Sequence, residues 1–338
     1  MRPDGATRRF GAGVLAVVAL GLIGLGPSAC GRRDDAAAPD RTAVAFAILS
    51  AQGQASSAPL WQPLLDDMSR SIGVPVTAHF AADYGALVDD MERGTAQAAW
   101  LSARPAIDAV ERARAEVIAR TVNPDGQDSY NSVLIVKRGS GVTLQEVLAC
   151  GKRLDYGVGD ARSTSATLAP RAFLFSPRGI DPETCFSAVR ADNHERHARE
   201  VASGILDVAA TNTVTLRALA LQNPTIAAEV EEIWRSPALP EGGIVLREDM
   251  DPALKEKIRG FFLSYGRGTD VEAERQRRVL AGLNYSRFVA ADDDYLDPVR
   301  EILADEALAT ARAAGDRRAA AAAERELTAL RAKREVQP

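Results

Sequence analysis

From residue 43 onward, short apolar runs alternate with amphipathic stretches. "VAFAIL" (44–49) predicts a strand, and "APLWQPLLDDMSRSIG" (58–73) a helix closed by Gly73. "VPVTAHFA" predicts a second strand, "DYGALVDDMERG" a helix closed by Gly94, "AQAAWLS" a third strand and "RPAIDAVERAR" the helix after it. "SVLIVKR" (132–138) is the most continuous strand signal in the chain. After it the alternation restarts, with "RLDYGVG", a helix, "FSAVRA", a helix over 193–203 closed by Gly204, and "LDVAAT". "EIWRSP" and "GGIVLRE" follow, then the helix "DPALKEKIRGFFLSYG" and, from about residue 295, a tract rich in Ala, Arg and Glu. Such alternation, with glycine at helix ends, predicts a mostly parallel sheet covered by helices, an α/β fold. Two similar sets joined by a long strand predict two lobes. Residues 43–135 would form the first, 136–232 the second, 233–290 a return to the first, and 291–338 a helical tail. The tail has strong helix propensity but little apolar face. It reads as a solvated helix or as an arm against a second subunit, a homodimer contact.

The first thirty residues carry a different pattern. Arg8 and Arg9 precede the unbroken apolar run "GVLAVVALGLIGLG", and "PSAC" places small residues before Cys30. This is the layout of a secretory signal peptide over 1–29. The apolar run is too short for a membrane span, which needs about 20 apolar residues. A cysteine directly after Ser28 and Ala29 resembles the lipobox of bacterial lipoproteins, although Pro27 stands where Leu is usual. The expectation is lipidation of Cys30, with residues 30–42 as a polar tether to the outer face of a membrane.

Charge and motif content remove several function classes. A net charge of −5 argues against nucleic-acid binding, which needs a basic face. "GVGDAR" lacks the third glycine of a dinucleotide fingerprint, "CGKR" lacks the rest of a P-loop, and there is no G-x-S-x-G. "HERH" (194–197) does not space its histidines as a zinc motif does, and the chain has three histidines in all. No enzyme, cofactor or metal is therefore expected. Cys150 and Cys185 remain, each just before a predicted strand. Neighbouring parallel strands would bring them together, so a disulfide and two buried thiols both stay open.

One turn asks for a ligand. "GDARSTSATLAP" (159–170) places Ser163, Thr164 and Ser165 between a strand and a helix, where a helix needs only one N-cap. A helix N-terminus presents unpaired N–H groups and about half a positive charge, a natural seat for an oxyanion. Pro170, well past the first turn, should kink or interrupt that helix. Ser50, Tyr84 and the pair His194 and Glu195 stand at other strand ends or helix starts. Asp207 lies in the apolar run "LDVAAT", where an acid needs a partner if buried.

Taken in order, "FAILSAQGQ…LWQPLLDDM…GVPVTAHFAADYGALV…AAWLS…SYNSVLIVK…YGVGDARSTSATLAP…NHERHAREVASGILDVAATN…IWRSPALPEGGIV…FFLSYG" resembles the phosphonate-binding subunits of bacterial ABC importers, over about residues 43 to 290. The resemblance implies a two-lobed periplasmic binding protein with two crossover strands, and an ABC permease as partner. It implies that Ser163, Thr164 and Ser165 hold the phosphonate oxygens, that Tyr84 and His194 add polar contacts, and that Ser50 faces the same cleft. Glu195 and Asp207 would meet an amine on the ligand or a P–OH proton. Relatives of the aminoethylphosphonate type carry an aromatic residue after the Trp of "AAW", where this chain has Leu101. That loss of one wall leaves phosphite or phosphate as the alternative ligand, with Tyr130 or Trp100 as compensating aromatics. A ligand-sensing lipoprotein is the alternative role.

Overall fold

The computed structural model describes residues 43–49 and 53–336. The leader over 1–29, Cys30, the tether over 30–42 and Ser50 lie outside the described residues. Six strands form a first sheet, in the spatial order Arg287–Ala290, Ala115–Val122, Gly243–Arg247, Ala98–Leu101, Val44–Ile48 and Val76–His79. Five form a second, in the order Val230–Arg235, Ser132–Lys137, Val208–Asn212, Asp155–Val158 and Ala188–Ala191. The chain crosses from first to second after Val122 and returns after Arg235.

The expectation of mostly parallel sheets needs correcting. Gly243–Arg247 and Arg287–Ala290 run against the other strands of the first sheet, and Ser132–Lys137 against those of the second. For Gly243–Arg247 and Ser132–Lys137 connectivity is the cause. Strands Ala115–Val122 and Val230–Arg235 end facing the other sheet, so each crossing enters the new sheet from its facing side. The first strand after a crossing must therefore run outward, against the strands whose carboxyl ends face the crossing.

Both crossing segments pair with each other on the way. Ser129–Tyr130 and Leu239–Pro240 form a two-stranded antiparallel ribbon, Tyr130 opposite Leu239. Asn123 Nδ2 donates to Glu241 Oε1 at 2.8 Å, and Asn131 Nδ2 to the Ser236 carbonyl at 3.0 Å. This ribbon sets the register of one sheet against the other.

Strand residues alternate between two apolar layers, as a period of two requires. Phe46 and Ile48 enter one layer of the first sheet while Ala47 and Leu49 enter the other. Leu134 and Val136 enter one layer of the second sheet while Val133 and Ile135 enter the other. Burial on both faces explains why "SVLIVKR" reads as a continuous apolar run. Cys150 and Cys185 are joined by a disulfide, with Cα atoms 4.3 Å apart.

The tail is a hairpin. Helix Asp297–Ala313 turns at Gly315 (φ 70°), and helix Arg317–Val336 returns along it. The small apolar stripe meets itself, with Ala304 and Leu308 against Ala323 and Leu327. Lys333 reaches Asp294 and Asp297, and Arg334 reaches Glu301, at the far end of the partner helix. Ala323 and Leu327 of the helix over 317–336 are thus buried within this chain. No helix among the described residues is long and apolar enough to cross a membrane.

Candidate functional site

In open α/β sheets ligands sit beyond the carboxyl ends of the strands. Here those ends, from both sheets, surround one cavity of about 70 Å³. Strand Val44–Ile48 leads to Leu49, Val76–His79 to Tyr84, and Ala98–Leu101 to Ser102. From the second sheet, Asp155–Val158 leads to Ser163, Ala188–Ala191 to His194, and Val208–Asn212 ends on Asn212. Tyr84 and His194 open helices, while Ser102, Ser163 and Asn212 stand at N-cap positions. Five helix N-termini converge. Each carries partial positive charge, which favours an anion in the same space. The crossing segments complete the wall with Tyr130 and Glu241.

The three consecutive hydroxyls divide their labour. Ser163 Oγ accepts from Ala166 N at 3.0 Å as the N-cap, which leaves its own proton free. Thr164 Oγ1 accepts from Arg104 N at 2.9 Å and lies 3.3 Å from Ser102 Oγ, so it bridges the two lobes. Ser165 Oγ lies 3.2 Å from Asn212 Nδ2 and 3.4 Å from His194 Nε2. Ser163 and Ser165 line the cavity.

Gly159 lets the strand end meet this turn, since a Cβ there would stand 2.5 Å from Ala166 Cβ. Pro170 does not break the helix as its position predicts. The turns widen instead, with Leu168 N bonded to the Ser163 carbonyl and Ala169 N to that of Thr164, five residues back. The Ala166 carbonyl, which an α-helix would bond to residue 170, takes the Gly159 N–H at 3.1 Å.

Among the described residues no Lys or Arg lines the cavity. The donors are neutral. Burial pushes the Tyr130 hydroxyl above its usual range, and burial with Asp160 nearby does the same for Tyr84, so both stay protonated. Burial, then the neighbouring His197, pushes His194 down to about 3. Its Nε2 lies 3.3 Å from the donor Asn212 Nδ2, which places the proton on Nδ1. That buried Nδ1 has no partner among the described residues. Because the folded form holds fewer protons than an ordinary histidine, the stability tied to His194 is full above about pH 6.5. It is lost as pH falls from there toward 3. Denaturant titrations at pH 7 and pH 5 should show about 2 kcal/mol of acid-dependent loss that His194→Gln removes. Parallel pH profiles for the two proteins would contradict this.

Glu241 is the acid of the site. It is 3% exposed, and burial raises its carboxyl, opposed by the bond from Asn123. Its Oε2 accepts the Gly242 N–H at 3.2 Å.

The two acids expected from sequence are elsewhere. Asp207 precedes strand Val208–Asn212, at the end away from the cavity, and its Oδ2 accepts the Asp155 N–H at 2.8 Å. Glu195 pairs with Arg199 along its own helix. Neither lines the cavity. Leu101 is fully buried in the apolar core, so it withdraws no wall, while Trp100 and Tyr130 do line the space. Among the described residues no group of three or more His, Cys, Asp or Glu is placed to hold a metal ion.

Residues 46–296 match the family described as ABC transporter, phosphonate, periplasmic substrate-binding protein. The chain belongs to this phosphonate-binding family. It is 37% identical over 261 residues to the phosphonates-binding periplasmic protein of Escherichia coli K12, covering 77% of this chain and 75% of that one. A binding protein component of an ABC phosphonate transporter from Pseudomonas aeruginosa superposes with a TM-score of 0.82 at 34% identity, over 88% of this chain and 100% of that one. A Prochlorococcus marinus protein in complex with methylphosphonate shares the fold at 19% identity, with a TM-score of 0.68 over 81% of this chain and 98% of that one.

Set in this phosphonate-binding fold, the cavity contains residues that the sequence did not single out. Ser102 and Asn212 each end a strand and cap a helix, a signature that was available. Glu241, in the Pro- and Gly-containing stretch "SPALPEGG", carried no such signal.

Proposed function

We propose that this protein is the extracytoplasmic solute-binding lipoprotein of an ABC importer, held by a lipid on Cys30. In this reading it captures a phosphonate between its lobes and delivers it to the permease. The observation that carries the reading is the convergence of five helix N-termini and two serine hydroxyls on a cavity that, among the described residues, no Lys or Arg lines. A phosphonyl group has three oxygens to satisfy, and neutral donors meet them without burying a cation. Ser163, Ser165, Tyr84 and His194 hold the oxygens, and Thr164 acts by joining the lobes around them. Glu241 takes the role first given to Glu195 and Asp207, facing an ammonium or a P–OH on the ligand. The reading is tested by calorimetric titration with methylphosphonate, 2-aminoethylphosphonate and phosphate. Binding of a phosphonate in preference to phosphate supports it, and absence of heat from any phosphonate at millimolar concentration ends it. Ser165→Ala should weaken every phosphonate by about tenfold to thirtyfold, the worth of one hydrogen bond to a charged group. Unchanged affinity would remove Ser165 from the site.

Closure has its own bonds. Asp160 Oδ1 accepts Arg162 N at 2.7 Å in its own turn, and Oδ2 accepts Tyr84 N at 3.1 Å from the other lobe. Arg162 Nε reaches Asp108 Oδ2 at 3.1 Å. These contacts favour the closed form, and a ligand shifts the lobes only through contacts that form on closing. Asp160→Ala should therefore lower affinity for all phosphonates by about fivefold and raise the radius of gyration of the ligand-free protein in solution scattering. A scattering profile identical to that of the wild type would argue against it.

A further inference from the structure

The cavity has polar side chains besides the serines. Asn284 lines it, is 4% exposed, and has neither Oδ1 nor Nδ2 bonded among the described residues. Trp100 lines the same cavity, and its Nε1 is likewise buried and unpartnered there. Buried side-chain polar atoms are nearly always paired, so three orphans on residues lining one cavity point to a missing group. Backbone demands do not account for them. Asn284 turns the chain from helix Val271–Gly282 into strand Arg287–Ala290 at φ 63°, a conformation that glycine serves as well without an amide.

Aromatic rings cluster around Trp100. Trp61, Trp100 and Tyr285 stand with ring centroids 5.7 to 6.5 Å apart. The indole of Trp100 is held against backbone, since a Cβ at Gly242 would come within 2.5 Å of it. The donor therefore has a fixed position.

We infer that Asn284 and Trp100 form a specificity subsite for phosphonates whose organic arm ends in an uncharged group that both donates and accepts hydrogen bonds, a hydroxyl or a carboxamide. The inference rests on the phosphonate reading above and adds the class of ligand. Asn284 supplies one acceptor and one donor, and Trp100 a second donor. A hydroxyl or carboxamide answers both kinds, while the aromatic rings pack against the methylenes that carry it. A carboxylate would leave Oδ1 facing negative charge. An ammonium would leave both N–H donors unanswered, so the amine of an aminoalkylphosphonate is a partner for Glu241 and not for this pair. A plain alkyl end would leave all three atoms unpaired, which is the condition under which polar sites reject apolar analogues most strongly.

The test uses isosteric pairs. Hydroxyalkylphosphonates of two and three carbons are titrated into the purified protein against the alkylphosphonates that carry CH3 in place of OH, with methylphosphonate as reference. At one chain length the hydroxyl ligand should bind at least about tenfold tighter than its isostere. Asn284→Gly, which keeps the backbone conformation, and Trp100→Phe, which keeps the ring, should each cut that ratio to about threefold or less. Both should leave methylphosphonate within about threefold of wild type. Equal affinity for the isosteres in the wild type, or a ratio that survives both variants, overturns the subsite. So does a loss of methylphosphonate affinity as large as that of the hydroxyl ligand, which would mark a structural role. If methylphosphonate and every other phosphonate fail to bind the wild type, the transport reading falls together with the subsite. If methylphosphonate binds and the ratio is absent, the subsite alone falls.

Discussion

Glu241→Gln is expected to weaken binding of 2-aminoethylphosphonate by about a hundredfold, roughly 3 kcal/mol, and to leave methylphosphonate within about threefold. Glu241 stands on the second crossing segment, where Asn123 and the Gly242 N–H hold its two oxygens in place. No cation is bonded to it among the described residues, and burial raises its carboxyl. Burial disfavours the charge on such an acid, and a positive group beside it favours that charge. An ammonium on the ligand supplies that group and forms a pair away from water. Glutamine preserves the shape and the bond from Asn123 but offers the ammonium no charge. The same linkage fixes a pH trend. With Glu241 raised, affinity for the amine-bearing ligand should climb as pH rises through its carboxyl range, whereas methylphosphonate should lack this limb. Calorimetry of both ligands against both proteins, at two pH values, decides it. Equal losses for the two ligands would mean that Glu241 only shapes the wall, and no loss would remove it from recognition. Asp207→Ala serves as the control. It should leave ligand preference unchanged, because Asp207 supports the Asp155 backbone at the far end of the strand.

That contrast between Glu241 and Asp207 shows where a sequence carries a site and where it does not. A residue that follows an apolar run and starts a helix is placed by connectivity alone. Tyr84, Ser163 and His194 were legible for that reason, and the fold delivers all three to one cavity. Asp207 drew attention as an acid inside an apolar run, where burial would demand a partner. Its strand runs toward the cavity over residues 208–212, and roughly 3.3 Å per residue puts Asp207 about 16 Å back from Asn212. The reach of a strand, which side it enters from, and which loop folds over the cleft are long-range facts. Glu241 depends on all three, since it arrives only because the second crossing pairs with the first. Strand Ala115–Val122 went unread for a related reason. Its Glu116 and Arg120 continue the charge pattern of helix Ala103–Ala113, and only Arg114, turning at φ 49°, separates the two elements. Leu101 misled in the opposite way, because a residue next to a cavity-lining Trp points, one position on, into the core.

The disulfide is the clearest case of connectivity becoming stability. Strands Asp155–Val158 and Ala188–Ala191 pair in parallel, with Asp155 opposite Ala188, so the segments just before them start side by side. Cys150 and Cys185 occupy those segments, and Lys152 N bonds the Cys185 carbonyl at 3.1 Å beside the bridge. Cys185 is buried in the same apolar layer as Tyr156, Phe175 and Phe186, whose rings pack together. A cross-link that closes a separation of 35 residues removes loop entropy from the unfolded chain worth about 4 kcal/mol. Replacing both cysteines by serine should therefore lower the melting temperature by roughly 10 °C. Reduction gives an internal control. A thiol reductant should bring the wild type down to the level of the double variant and leave the variant where it was. Ligand affinity at 25 °C should stay within about twofold, because neither cysteine lines the cavity and the serine turn follows the far end of strand Asp155–Val158. If the oxidised wild type and the variant melt together, the bridge contributes nothing to the folded second lobe. If melting falls but affinity falls with it, the lobe that carries Ser163 and Ser165 depends on the bridge for the geometry of the site as well as for its stability.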